Sequence, residues 1–315
     1  MTVRVYRHTD ASAPVLTGNA ADYKLIDVLD KCLVAGYGSQ SAAGWTKEFT
    51  GTGKAVFKQG TGSNGMRLRV DCSTSSQTPR LRAYESMTDV DTGTNPFPTD
   101  AQVSGGGYAY TSSTADTTAR PWMIVATEKA FYLYIGHVDT TAQGVEGSTT
   151  YKNLYFFGDY TSFVSGDAYN TLLVCNISSA VSGGNFGGVI GTYSTANIGG
   201  KFVARQISQA AGSYAADFMI DSRGGNATIG AGTNNGYPDA ATGDMLLGSI
   251  LVVEKSTNSA HGVLPGAWAP LHNLPGLPGD TFSGNGQLNG KTFILWDAAN
   301  ANTRCRVAVE TSDTW

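Results

Sequence analysis

Asp159 in "FFGDYTSF" and Asp167 in "SGDAY" set two carboxylates among aromatic residues. Paired carboxylates on either side of a sugar are the machinery of glycoside hydrolysis, one acting as acid and the other as base or nucleophile. The same arrangement arises wherever a sheet edge turns into solvent, so the pair alone does not define a reaction. Nucleophilic hydrolysis has less to build on. The histidines are His8, His137, His261 and His272; the last two flank a proline-rich stretch with no fixed geometry between them. No G-x-S-x-G elbow is present to hold a serine nucleophile.

Metal and phosphate chemistry are weaker still. "DVDTGTNPFPTD", 89–100, gathers Asp89, Asp91 and Asp100 in a loop with a hint of calcium spacing. Its glycine comes one place early, and Pro96 and Pro98 stiffen the part that would wrap the ion. "GTGSNG", 60–65, fits G-x-G-x-x-G, but "KAVFKQ" precedes it and the strand-like "MRLRVD" follows. A dinucleotide loop must open a helix, so this one reads as a hairpin turn, as does "GTGK" at 51–54. Cys32, Cys72, Cys175 and Cys305 lie far apart without C-x-x-C spacing, so no metal pattern is present. Four cysteines could form two disulfides, but a core of this size needs no bridges, and free, mostly buried thiols are expected. No catalytic residue, cofactor or metal is expected.

The elements that would position these residues are mostly strands. "TVRVYRH", "GWTKEFT", "KAVFKQ", "MRLRVDC" and "PRLRAYESM" alternate; Met66, Leu68 and Val70 interleave with Arg67, Arg69 and Asp71, one face buried and one wet. "ADYKLIDVLDKCLVAGYG" carries Leu25, Ile26, Leu29, Cys32 and Leu33 at helical spacing. This predicts a helix over 22–35, with Asp22 as N-cap and Gly36 as the stop. "RPWMIVATEKAFYLYIGHV", 120–138, reads as a hairpin turning at "TEKA". Trp122, Ile124 and Ala126 share one face, Phe131, Leu133 and Ile135 lie on one face of the partner strand, and Tyr132 and Tyr134 on the other. Both faces are apolar, which predicts a central hairpin covered on both sides. "NLYFFGDYTSF" and "AYNTLLVCNI" continue the sheet.

The stretch 181–244 is rich in glycine, with "KFVARQIS" and "YAADFMID" as an outlying hairpin. "MLLGSILVVEK" returns to the core. "HGVLPGAWAPLHNLPGLPGD" holds four prolines and is expected to be an irregular, extended loop. "KTFILWDAANANTRCRVAVETS" forms a last hairpin. The fold class is therefore mainly β, antiparallel and sandwich-like, with one N-terminal helix. Residues 1–115 form an α+β region and 116–315 a β-rich region with 181–244 inserted; the two could equally be one composite domain.

Composition points the same way. Charged residues make up 15% and glycine numbers 40, a balance suited to strands, turns and assemblies whose surfaces are covered by neighbours. Net charge is −4, from 21 basic and 25 acidic residues, with no basic run, which argues against nucleic acid as a partner. The opening "MTVRVYRHTD" has no signal-peptide core, and apolar runs such as "SILVV" at 249–253 fall far short of the ~20 residues that cross a bilayer. Folding in a cytoplasm and no membrane association are expected.

Taken together, "VYRHTDASAPVLTG" with the helix ending "CLVAGYG", "GWTKEF", "YESMTDVDTGTNPFP", "RPWMIVATEKAFYLYI", "FFGDYTSFVSGDAY", "LPGAWAPLHNLP" and "GKTFILWDAAN" resemble a family of tailed-bacteriophage virion structural proteins over nearly the whole chain. The Gly-rich part carries least of the likeness. The resemblance implies assembly in a host cytoplasm, a place in the virion, and copies of the chain and other virion proteins as partners. It supplies no active-site residues. The expected role is a non-enzymatic tail or baseplate subunit; the alternatives are a capsid decoration protein and a tail protein that binds or depolymerises host-surface glycan. Candidate contact residues are Tyr132, Tyr134, Trp268, Leu271, Pro275 and Phe186, with the Tyr132/Tyr134 face meeting either a second layer or a neighbour.

Overall fold

Met66, Leu68 and Val70 are buried while Arg67 and Arg69 on the same strand stay half-buried. This period-two pattern recurs through the chain and gives antiparallel sheets. The computed structural model describes residues 2–19, 22–112, 114–136, 152–178, 199–219, 238–271, 274, 279–297, 306–312 and 315.

In chain order the elements are β1 (Arg4–Arg7), α1 (Lys24–Leu29), β2 (Thr46–Gly51), β3 (Lys54–Lys58), β4 (Arg67–Asp71), β5 (Arg80–Met87), β6 (Gly93–Phe97), β7 (Gly107–Tyr108), β8 (Trp122–Ala126) and β9 (Ala130–Gly136). There follow β10 (Lys152–Asp159), β11 (Thr161–Ser162), β12 (Thr171–Asn176), β13 (Gly199–Arg205), β14 (Ala211–Met219), β15 (Leu247–Glu254), β16 (Ser259–Pro270), β17 (Thr281–Ser283), β18 (Thr292–Asp297) and β19 (Arg306–Glu310).

One sheet runs β1–β8–β9–β10–β12–β13, and β7 links β12 to β5, whose other neighbours are β6 and the meander β4–β3–β2. The second sheet runs β15–β16–β19–β18–β17, with β11 added beside β16. β14 belongs to both. Its first half pairs with β13, and Ala216–Met219 pair with β15. The expected boundary at 115/116 runs through the first sheet, since β1 pairs with β8 and β7 with β12.

The β8–β9 hairpin lies at the centre, as its two apolar faces require; every residue of both strands is buried. Trp122 shares its face with Ile135, Leu133 and Phe131, and the N-terminal segment covers it. Trp122 Nε1 donates to the Pro14 carbonyl at 3.0 Å, and Trp45 packs edge-on against Phe131 at 5.5 Å. On the other face Tyr132 and Tyr134 meet the second sheet. Trp296 of β18 lies 6.3 and 5.8 Å from their rings, and Tyr132 Oη donates to the Pro265 carbonyl of β16 at 2.8 Å. Each such ring contributes ~1.5–3 kcal/mol by burial, and each aromatic pair ~0.5–1.5 kcal/mol beyond that.

Three expectations change. The helix begins at Lys24, capped by Tyr23 at φ 47° and not by Asp22, and from Asp30 to Ala35 it widens into a π-helix. Gly36 does stop it, at φ 79° with its N–H on the Lys31 carbonyl. The 199–219 hairpin is not outlying: it splices the two sheets. The proline-rich segment is no loop through residue 270. It is β16, the longest strand described, and its register with β15 shifts between Ser249 and Leu251, opposite Pro265 and Gly266. A bulge has no ladder hydrogen bond to lose there, so the strand tolerates the proline.

Candidate functional site

Asp159 and Asp167 do meet at one place, a cleft of about 440 Å³. Three turns build it: "GTGSNG" between β3 and β4, the β8–β9 turn with Lys129, and the loop between β11 and β12. Pro265 and Trp315 close it. Gly158, paired with Ala130 at φ 144°, aims the end of β10 into this space; a Cβ there would lie 2.3 Å from the Ala130 Cα.

The chain itself holds each carboxylate. Asp159 Oδ1 accepts from Gln59 Nε2 and Thr171 Oγ1, both at 2.8 Å, and Oδ2 accepts from the Asn64 N–H at 2.9 Å. Thus the G-x-G-x-x-G turn spends a backbone N–H on a carboxylate of its own chain. Burial pushes the Asp159 carboxyl above its ordinary range against the pull of these donors and of nearby Lys129. Asp167 Oδ1 accepts from the Tyr169 N–H at 2.9 Å and Gln209 Nε2 at 3.2 Å, and Oδ2 from Ser162 Oγ at 2.8 Å. These bonds fix the 162–169 loop.

Behind the cleft wall lies a chain of polar groups that the sequence did not disclose. Tyr160 Oη sits 3.0 Å from His261 Nδ1, and His261 Nε2 sits 3.0 Å from Glu254 Oε2. Ser256 Oγ and Gln206 Nε2 donate to Glu254 Oε1. An imidazole with its hydrogen on Nε2 satisfies both neighbours. The order is that of a nucleophile–base–carboxylate relay with a phenol in the serine's place. Burial, with the charges of Asp167, Asp159 and Glu254, drives the Tyr160 phenol far above its ordinary range, so the hydroxyl stays protonated and acts as a donor. Burial raises the Glu254 carboxyl too, but the Ser256 and His261 bonds outweigh it and hold the group below its usual value. No local motif could have announced this trio; β15–β16 pairing brings Glu254 to His261, and the β11–β16 contact brings Tyr160.

The acidic loop forms ion pairs. Asp91 binds Lys54 Nζ at 2.8 Å and Arg69 Nη2 at 2.7 Å, and Asp100 forks onto Arg82 at 2.5 and 3.2 Å. Asp89 Oδ1 accepts the N–H groups of Asp91 and Thr92. No group of three metal-ligating side chains occurs among the described residues. Cys32, Cys72 and Cys175 are buried free thiols; Cys305 lies outside the described residues. His8 faces the Trp122 carbonyl at 3.2 Å, and burial lowers its imidazole below the usual range. His137 and His272 also lie outside the described residues.

The contact candidates separate. Tyr132 and Tyr134 are 0% exposed and cannot meet a neighbour, because the chain's own second sheet covers them. Trp268 and Leu271 are half-buried; Trp268 Nε1 lies 3.3 Å from Glu310 Oε2 and the Lys291 ammonium 5.6 Å from its ring centre. Phe186 and Pro275 lie outside the described residues. Sequence reasoning missed Phe163, which is 58% exposed and sits in the chain between Ser162 and Val164, two residues that line the cleft. No protein-family model matches the chain, and no curated protein is significantly similar to it.

Proposed function

We propose that the chain is a non-enzymatic structural subunit of a tailed-bacteriophage particle. In this reading it is a tail or baseplate component, assembled in the host cytoplasm, whose partners are copies of itself and other virion proteins. One observation carries the reading: the carboxylates that could have done chemistry are committed chiefly to holding the fold. Asp159 and Asp167 each accept three hydrogen bonds from their own chain, and Asp91 and Asp100 are ion-paired. The sequence blocks that resemble virion proteins and the low proportion of charged residues support it. Among the described residues no helix is long and apolar enough to cross a membrane.

Cryo-EM of whole particles tests the proposal. Density for this chain on the tail or baseplate, in a small fixed number of copies, is the expected result. Hundreds of copies over the head would replace it with capsid decoration. Absence from the particle would overturn it, and cleavage of host-surface glycan would then be assayed.

A further inference from the structure

We infer that the cleft between the β3–β4 turn, the β8–β9 turn and the 161–170 loop binds a short neutral saccharide. The inference goes beyond the structural role above and does not depend on it.

The cleft's volume of about 440 Å³ falls within the ~300–1,000 Å³ of small-molecule sites. What it offers a ligand follows from what its own chain leaves unused. A carboxylate has about four lone-pair positions. Asp159 and Asp167 have each filled three, so each keeps one, on Oδ2. The side chains of Lys129, Thr161 and Ser165 line the same space and make no hydrogen bond or ion pair with the described residues. Acceptors and donors therefore line one small volume together, a combination that hydroxyl groups, which both donate and accept, can satisfy.

Trp315 supplies the apolar wall. Its indole is fixed before any ligand arrives: Nε1 donates to the Glu310 carbonyl at 2.8 Å, Tyr132 packs edge-on at 5.4 Å, and Gly266 lies so close that a Cβ would sit 2.3 Å from Nε1. A preset ring loses little freedom on binding, and a polyol with one apolar face suits it. Other classes fit less well. An anion meets two carboxylates against one ammonium. A metal ion would find carboxylates already committed to three donors each and an ammonium beside them. An apolar ligand would strand the polar groups without water.

The test is saturation-transfer NMR on the full chain with a panel of neutral di- to tetrasaccharides, including gluco-, galacto- and manno-configured series, with sialylated and sulfated ones as comparators. At least one neutral saccharide should receive saturation, and titration should give an affinity that falls about tenfold or more in Trp315→Ala. Should Trp315→Ala fail to fold, the exposed-side substitutions Thr161→Ala, Ser165→Ala and Lys129→Met keep the question open to measurement; together they should weaken binding several-fold. Val15→Ala, at an exposed site outside the cleft, should leave it unchanged. No transfer to any neutral saccharide, a preference for the anionic ones, or binding that survives all the cleft substitutions would each overturn the inference. Saccharide binding without cleavage is compatible with the structural role, and the chain's position in a particle is read separately by cryo-EM, so failure of one reading is distinguishable from failure of the other.

Discussion

The pairing of Asp100 with Arg82 sets a clear response to acid. The Arg82 fork, with the Gly105 N–H, holds the Asp100 carboxyl at about 2, below its ordinary value. A carboxyl depressed in the folded state adds stability that is complete above its unfolded value, ~3.9, and is lost as pH falls through its folded value. Thermal melts should therefore show the parent losing stability between about pH 4 and pH 2 more steeply than Asp100→Asn; parallel curves would mean that Asp100 titrates in its ordinary range. The thiols behave oppositely. Burial pushes Cys72 and Cys175 up to about 12 and Cys32 well above its usual value, so little thiolate exists at neutral pH. A disulfide reagent at pH 7–8 should leave all three unmodified in the native chain and label them on unfolding, which peptide mapping reads site by site. The sequence announced such residues unevenly. Chain length, which allows a core that needs no bridges, was enough to expect free thiols, and Cys32, Cys72 and Cys175 are free; the partners of Asp100 and Asp159 come from other strands and turns, and no local pattern pairs them.

Strands were legible where their faces differ. In β8 and β9 the alternation separated Phe131 from Tyr132 and grouped Trp122 with Ile124 and Ala126 within each strand; the register Trp122–Ile135 and Val125–Tyr132 then places Trp122 and Phe131 on one side of the hairpin. β16 was not legible, because Pro265 argues against a strand unless a bulge removes the hydrogen bond that proline cannot make, and a bulge is visible only with its partner β15 in place; Pro270, paired with Leu247, falls at the strand's last residue. Two substitutions test how elements hold together. Tyr132→Phe removes the hydroxyl that reaches the Pro265 carbonyl and leaves the ring in its packing. It should cost ~1–2 kcal/mol in denaturant melts, since a buried hydrogen bond is lost without a cavity. Gly158→Ala forces a Cβ into the Ala130 backbone at a φ of 144° and should cost at least ~1–3 kcal/mol. The local shift would also disturb Asp159, so hydrogen exchange at the Asn64 amide should quicken in that variant while exchange in β18 stays slow.

At the scale of the whole molecule the cleft is a product of topology. Its lining comes from positions near 62, 129, 161 and 265 and from Trp315. Only the two carboxylates were nominated beforehand, because aromatic neighbours made them conspicuous; Lys129 and Trp315 are ordinary in their own stretches. Strand β14 has a different kind of consequence. One half is hydrogen-bonded to β13 and the other to β15, so one strand is shared by the two sheets where they meet. Mechanically this is a seam: tension on one sheet passes along a continuous backbone into the other without crossing a compliant linker. Stretched in an optical trap between handles on β4 and β18, the chain should yield in one rupture spanning both sheets, and a break into two well-separated events would show that the seam gives way first. A part built this way is suited to transmitting load.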